Sequence, residues 1–350
     1  MKAIVKDKPG KGFSLLEVEE PVLKEPHDVK IKILKVSICG TDVHIYEWND
    51  WAKERIKKLP QIDGHEFVGR VVEVGSEVKN VKIGDLVVAD SHIPCGYCYQ
   101  CRTGNMHVCE NLKILGVDRD GVFSEFTVLP DRVLIKIDES ISLKYASVME
   151  PLGNAIFTTT AADLRGKVVL ISGAGPIGAM AIEISKLSGA AYIIVSEISD
   201  FRINMAKSLG SDVVINPKEK SLIDEVMRLT NGSGIDVFLE MSGNEKALND
   251  GIQSLKSTGV ASILGVYPEN KIDFVMNTAV FKNLNIHTIT GRKMFETWYI
   301  AANWLKYKKL DLSKVVTHEF NFEDYEKGFE LMISGKSGKI VLNVTNDEEG

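Results

Sequence analysis

Residues 168–197 read VVLISGAGPIGAMAIEISKLSGAAYIIVSE, and this stretch decides the fold. Val168–Ser172 is a short apolar run suited to a fully buried strand. The glycines Gly173, Gly175 and Gly178 follow in a GxGxxG turn, and a helical pattern runs from Ile177 to Ser188. Gly173 permits the tight turn, Gly175 lets backbone approach a pyrophosphate, and Gly178 lets helix and strand pack closely, while the N–H groups that open the helix face the anion. A second apolar run, Tyr192–Ser196, ends at Glu197. An acid there accepts hydrogen bonds from the adenosine ribose and repels a 2′-phosphate, so NAD is expected over NADP. Arg202 pulls the other way, since an arginine near this point serves a 2′-phosphate; its plainer use is a solvated helix face.

Outward from this unit, strand and helix patterns alternate. Asp212–Ile215, Ile235–Glu240 and Gly259–Leu264 continue the series of apolar runs, which predicts a doubly wound parallel sheet. Asp200 and Gly210 bracket one helix as N-cap and C′ residue. The first half is instead β-rich, with short runs at Lys2–Val5, Val29–Ile38, Gly69–Val74, Asp85–Ala89 and Phe123–Leu129 between turn signals. After about Gly291 the pattern is mixed: Met294–Lys306 and Glu323–Ser334 read as helices and Gly338–Val344 as a strand that can return to the β-rich domain. The acidic end, Asp347–Gly350, is expected to fray.

Composition narrows the partners. The chain has 350 residues, long enough for two domains, with 44% hydrophobic and 26% charged residues and a net charge of −6. An acidic balance disfavours nucleic acid and anionic membrane surfaces and leaves a small-molecule substrate. MKAIVKDKPG lacks a secretory apolar core, and Glu183 and Lys186 interrupt the longest apolar stretch, so a cytoplasmic protein without a membrane span is expected.

Four of the five cysteines, Cys95, Cys98, Cys101 and Cys109, crowd one loop. Four thiolates close a tetrahedron around zinc with no position left for substrate, which makes this a structural site. An iron–sulfur cluster is the competing reading of CxxCxxC, but its fourth cysteine should follow after three residues and precede proline. A nucleic-acid zinc module would need a more basic surround than Arg102 and His107 supply. The fifth cysteine, Cys39, ends a predicted strand, and His65-Glu66 occupies the turn before another. Thiolate, imidazole and carboxylate from two strand ends can hold zinc with one place open, as a Lewis-acid site requires. Singly, Cys39 would read as a small buried residue and His65 as a turn residue.

The order Cys39-Gly-Thr-Asp, Gly64-His65-Glu66, the four-cysteine loop, Glu150-Pro151 and GAGPIG resembles the zinc-dependent medium-chain dehydrogenases over nearly the whole chain. CGTDVHIYEW (39–48), SEISDFR (196–202) and GRKMFETWY (291–299) resemble the members that oxidise L-threonine at its Cβ hydroxyl. The resemblance implies a GroES-like catalytic domain (1–151, with a structural-zinc lobe at 91–110), a Rossmann domain (152–291), a C-terminal return to the catalytic domain (292–350), two zinc ions per subunit and a homotetramer. Position by position it makes Cys39, His65 and Glu66 catalytic-zinc ligands and Cys95, Cys98, Cys101 and Cys109 structural ones. It puts Glu150 beside the metal, either as an exchangeable ligand or in the proton path; unaided, Glu150 would read as a carboxylate ending a helix before Pro151. Thr41 and His44 match a proton relay, although His44 alone would read as a surface histidine. Ile177, Glu197 and Arg202 match cofactor positions, as do Leu264, Gly265 and Val266 and, farther on, Ile289 and Thr290. Arg292 is expected either to clamp the substrate carboxylate or to form a surface salt bridge, and His92 either to face the substrate pocket or to pack on the zinc lobe.

Two rivals remain open at this stage. A polyol or secondary alcohol such as sorbitol or 2,3-butanediol would need the same zinc ligands and cofactor turn. A non-catalytic dinucleotide-binding redox sensor would use Cys39 as an oxidisable thiol and leave His65, Glu66 and Glu150 without a purpose.

Overall fold

The computed structural model describes residues 1–269 and 271–345; the acidic end expected to fray lies outside them. In chain order the elements are β1 (Lys2–Lys6), β2 (Ser14–Glu17), β3 (Asp28–Ser37), α1 (Gly40–Glu47), α2 (Asp50–Arg55), β4 (Gln61–Ile62), β5 (Phe67–Val74), β6 (Leu86–Ala89), β7 (His92–Ile93), α3 (Tyr99–Arg102), β8 (Lys113–Ile114), β9 (Phe126–Pro130), β10 (Leu134–Lys136), α4 (Leu143–Ala146) and α5 (Met149–Thr160). There follow β11 (Val168–Ser172), α6 (Pro176–Leu187), β12 (Tyr192–Ser196), α7 (Asp200–Ser208), β13 (Val213–Ile215), α8 (Leu222–Leu229), β14 (Ile235–Glu240), α9 (Glu245–Ser254), β15 (Leu255–Ile263), α10 (Met276–Phe281) and β16 (Asn285–Thr288). The chain ends with α11 (Glu296–Lys306), β17 (Val316–Asn321), α12 (Tyr325–Ile333) and β18 (Lys339–Asn343).

These elements form two compact units. The first comprises Met1–Pro151, Lys293–Tyr307 and Val316–Gly350. Its larger sheet runs β10-β6-β5-β3-β18-β17, with β9 also on β3, and its smaller one β2-β1-β4. Alternation in β3 explains the layering: Val29, Ile31 and Ile33 turn inward and are fully buried, while Lys30 and Lys32 alternate with them. The tail returns to this sheet, since β18 pairs antiparallel with β3 through Val341 opposite Ser37.

The second unit, Leu152–Arg292 with Lys308–Val315, is a six-stranded parallel sheet in the order β13-β12-β11-β14-β15-β16. That is the doubly wound order, with β11 and β14 side by side where the winding reverses. β11 is buried on both faces, as its unbroken apolar run requires, and Ser221 caps α8 by accepting from the Asp224 N–H.

Several expectations need correction. Asp200 is the first residue of α7 and not its cap, a position held by Ser199, although Gly210 does take a positive φ of 86° beyond the helix. A helix, α1, starts directly after Cys39 where no helix was expected, and a sixth parallel strand, β16, escaped notice because all four of its residues are exposed and lack an apolar pattern. The helix at Glu150 begins there instead of ending: Glu150 and Pro151 occupy the first turn of α5, where proline's missing N–H costs nothing. Among the described residues no helix is long and apolar enough to cross a membrane.

Candidate active site

In the first unit, β3 delivers Cys39 to the N-cap of α1, and the segment leading into β5 delivers His65 and Glu66. Ligand atoms of these three side chains lie within 4.8 Å of one another. Each donor is oriented from behind. Asp42 accepts from the Cys39 N–H at 2.8 Å through one oxygen, and its other oxygen lies 3.1 Å from His65 Nδ1, so Nε2 is the nitrogen that could hold a metal. Glu66 Oε2 is held by Lys339 Nζ and by Ser37 Oγ, whereas Glu66 Oε1 is buried without a hydrogen-bond partner. An orphaned, fully buried carboxylate oxygen beside a thiol and an imidazole is the arrangement a metal ion satisfies.

Electrostatics point the same way. Burial works against a charged His65, yet Asp42 and Cys39 outweigh it and hold its proton affinity well above the usual histidine range. Glu66 is raised by burial and by the nearby Glu150 charge, against the pull of Lys339. The pocket thus calls for positive charge among Cys39, Asp42, Glu66 and Glu150. Glu150, 6% exposed, accepts from Ser91 Oγ at 2.6 Å. Ser91 is fixed by its neighbours, because Asp90 accepts from the His92 N–H at 2.9 Å and from the Trp298 indole N–H at 2.8 Å. Thr41 is half-buried in the first turn of α1, His44 is exposed in its last turn, and His92 is half-buried in β7.

The second cysteine cluster lies on α3 and the loops around it. Cys98 Sγ is 3.4 Å from Cys101 Sγ and 3.7 Å from Cys109 Sγ, and Cys95 completes the set. Tetrahedral Zn–S bonds of about 2.3 Å place sulfurs about 3.8 Å apart, so this spacing suits one ion held by four thiolates. Backbone N–H groups favour the thiolates of Cys95 and Cys98, whereas burial pushes Cys101 up to about 12. Burial opposes ionisation of Cys95, but the N–H groups of Tyr97 and Cys98 overcome it and bring the thiol to about 6, and the Cys95 and Asn111 N–H groups both point at Cys109 Sγ at 3.3 Å.

In the second unit a cleft of about 510 Å³ opens at the carboxyl ends of β11, β12 and β14. Gly173, Gly175, Glu197 and Arg202 line it, as the sequence predicts. Gly173 has φ +84°, and a Cβ on Gly178 would lie 2.0 Å from the Gly173 carbonyl oxygen, so the close helix–strand approach does demand glycine. Above Gly175 the space is open except for the Arg202 guanidinium. Glu197 accepts N–H bonds from Ala174, Ile198 and Ser199 at 2.7–2.9 Å, and Arg202 Nε is buried without a partner, so this arginine is no solvated helix face. Lys218, Ser242 and Lys246 also line the cleft; they follow other strands and carry no motif that would reveal them. Ile177, Gly178, Leu264, Gly265, Val266, Ile289 and Thr290 do not border it. A Cβ on Gly265 would collide with Glu240 Oε2 at 2.2 Å, which gives that glycine a packing reason, while Val266 is 89% exposed. Arg292 is 1% exposed, with Nη1 donating to Asn154 Oδ1 at 3.0 Å, so it is not a surface residue.

With the metal-ligand clusters and the cleft in place, similarity to known proteins becomes decisive. Residues 25–139 match the alcohol dehydrogenase GroES-like domain and residues 176–307 the zinc-binding dehydrogenase family. The chain is 52% identical over 344 residues to the L-threonine 3-dehydrogenase of Pyrococcus horikoshii, covering 98% of each. It belongs to the L-threonine 3-dehydrogenase family of zinc-binding dehydrogenases. Among solved structures, an alcohol dehydrogenase from Thermus sp. ATN1 superposes with a TM-score of 0.91 at 28% identity (99% of this chain, 100% of that one). The 2R,3R-butanediol dehydrogenase of Bacillus subtilis superposes with a TM-score of 0.88 at 29% identity, covering 98% and 99%. The protein is therefore an oxidoreductase acting on a CH–OH group, with a GroES-like domain and a Rossmann domain.

Proposed function

We propose that the protein oxidises the Cβ hydroxyl of L-threonine to the ketone, giving L-2-amino-3-oxobutanoate, with NAD as hydride acceptor and two zinc ions per chain in a homotetramer. The observation that carries this reading is the Cys39–His65–Glu66 cluster with its orphaned Glu66 oxygen, in a chain with 52% identity to an L-threonine 3-dehydrogenase. Zinc held there supplies a Lewis acid that lowers the pKa of the substrate hydroxyl.

The chain's own groups do the rest. Asp42 fixes the face of His65, and Lys339 with Ser37 holds one oxygen of Glu66 so that the other is presented. Thr41 has a hydroxyl that accepts and donates, and the exposed His44 exchanges a proton with solvent. Glu150, held by Ser91, offers a carboxylate to the substrate ammonium. Glu197 keeps a lone pair for the adenosine ribose and disfavours a 2′-phosphate. The Cys95–Cys109 cluster holds the second zinc and fixes its lobe.

The test is a comparison of NADH formation from L-threonine, sorbitol and 2,3-butanediol, with zinc analysis of the same preparation. L-Threonine as preferred substrate with two zinc ions per chain is expected. A polyol or diol preferred over L-threonine overturns the substrate assignment, and one zinc without turnover leaves the redox-sensor reading.

A further inference from the structure

Two neighbouring hydrogen bonds decide a proton position that no diffraction map at ordinary resolution shows. Asn49 is the N-cap of α2, and its Oδ1 accepts from the Ala52 N–H at 3.0 Å. A carboxamide has one acceptor end and one donor end, so this cap fixes which is which. Turning the amide over would set its NH₂ against the Ala52 N–H, two donors face to face, and would remove a cap worth about 1 kcal/mol.

The donor end, Nδ2, then lies 2.8 Å from His44 Nδ1. A donor at that distance requires an acceptor, so Nδ1 carries a lone pair. A neutral imidazole has a single N–H, which must sit on Nε2. The backbone ties the same pair together. Trp48 takes the left-handed conformation with φ 55°, which turns the chain so that the Asn49 N–H reaches back to the His44 carbonyl at 3.3 Å. The Trp51 ring, centred 5.9 Å from the imidazole, covers it from the second helix.

We propose that Asn49 is a positioning residue that locks neutral His44 in the Nε2–H tautomer, so that Nε2 is a donor and the lone pair on Nδ1 is engaged by Asn49. The functional consequence rests on the reading that His44 passes protons to solvent; the tautomer itself does not. The other neutral tautomer, with its N–H on Nδ1, would cost the Asn49 bond, because Asn49 cannot turn over without leaving α2 uncapped.

The experiment is long-range ¹H–¹⁵N correlation of the zinc-loaded enzyme labelled in histidine, at about pH 9, well above the ordinary histidine pKa of about 6.5. The His44 signals are assigned from their loss in His44→Gln. Wild type is expected to show Nε2 as the protonated nitrogen and Nδ1 as the bare one. Asn49→Asp keeps the capping oxygen but presents an acceptor to Nδ1, and is expected to reverse the two signals. Asn49→Ser keeps a capping oxygen but lacks the amide NH₂ that reaches Nδ1, and is expected to move both signals toward averaged positions. A proton on Nδ1 in wild type, or an unchanged pattern in Asn49→Asp, overturns the proposal. Steady-state L-threonine oxidation by the same variants separates the two ideas: reversed signals with unchanged kcat remove His44 from the proton path and leave the Asn49 lock standing.

Discussion

The Lys339 ammonium is sealed against the Glu66 carboxylate, with 2% and 0% of the two side chains exposed, and it also donates to the Ile38 carbonyl at 2.8 Å. Burial works against the charged lysine, but Glu66, with Cys39 and Asp42, more than restores it. A residue on the last strand of the chain thus supports a metal-site carboxylate from the first half. Lys339→Met strands the buried Glu66 charge and is expected to cost about 3–5 kcal/mol of stability. Urea unfolding measures this, and zinc content should fall in the same variant.

Loss of one thiol from the lobe should be confined to the lobe's metal. With the proposed two zinc ions per chain, Cys101→Ser is expected to lose about one of them and to lower the unfolding temperature, with residual turnover by the folded fraction. Zinc analysis and thermal unfolding check both. A variant that keeps both equivalents would remove Cys101 from the ligand set.

Glu197→Gln removes the negative charge at the adenosine end while keeping the shape. Exchanging a charged acceptor for a neutral one costs about 1.5–3 kcal/mol, so KM for NAD should rise roughly 10- to 100-fold. Arg202 and Lys218 remain in the cleft, and the ratio of NADP to NAD efficiency should increase. Initial rates with both cofactors give the answer.

The Trp298 indole N–H donates to Asp90, and both residues are fully buried. Trp298→Phe deletes the donor and part of the ring and is expected to destabilise by about 1.5–3 kcal/mol, as for a hydrogen bond to a charged group. The measurement is equilibrium unfolding. A change below about 0.5 kcal/mol would show that other contacts hold the Asp90–His92 segment.

Lys6 sets a pH dependence. It is buried, with Nζ on the carbonyls of Gly10 and Gly12 and 5.0 Å from the Trp48 ring centre. Burial pushes its ammonium down to about 8, against the opposing charges of Asp63 and Asp7. Between about pH 8 and the ordinary lysine value of 10.5 the unfolded chain still holds a proton that the folded chain has released, so this group makes stability rise with pH across that window. Below pH 8 both states are charged and the burial cost is present in full. Lys6→Met should abolish the rise, which unfolding measured at intervals from pH 7.5 to about 10 would detect.

The doubly wound fold class was legible because its signals are local. β11, β12 and β14 match the apolar runs residue for residue, and the GxGxxG glycines sit where short-range sterics require them. The four-cysteine cluster could be picked out from its spacing, whereas Cys39, His65 and Glu66, which the structure also brings together, stood out jointly only beside the dinucleotide turn and the family resemblance. The edge strand β16 was not legible: a strand recruited by backbone pairing to β15, with every side chain exposed, carries no apolar period. The burial of Arg292 was not legible, because charge suggests surface, whereas the side chain packs over Gly153 and donates to Asn154.

The sequence by itself therefore determined the fold class, the dinucleotide turn and the donor chemistry of both metal clusters. Tertiary structure decided what stands behind those donors: Lys339 and Ser37 on Glu66, Asp42 on His65, Ser91 on Glu150 and Asn49 on His44. The physical reason is range. Chain sterics and periodicity act over a few residues and leave a mark in the sequence, whereas a buried charge takes its partner from whichever segment the sheet register brings alongside it.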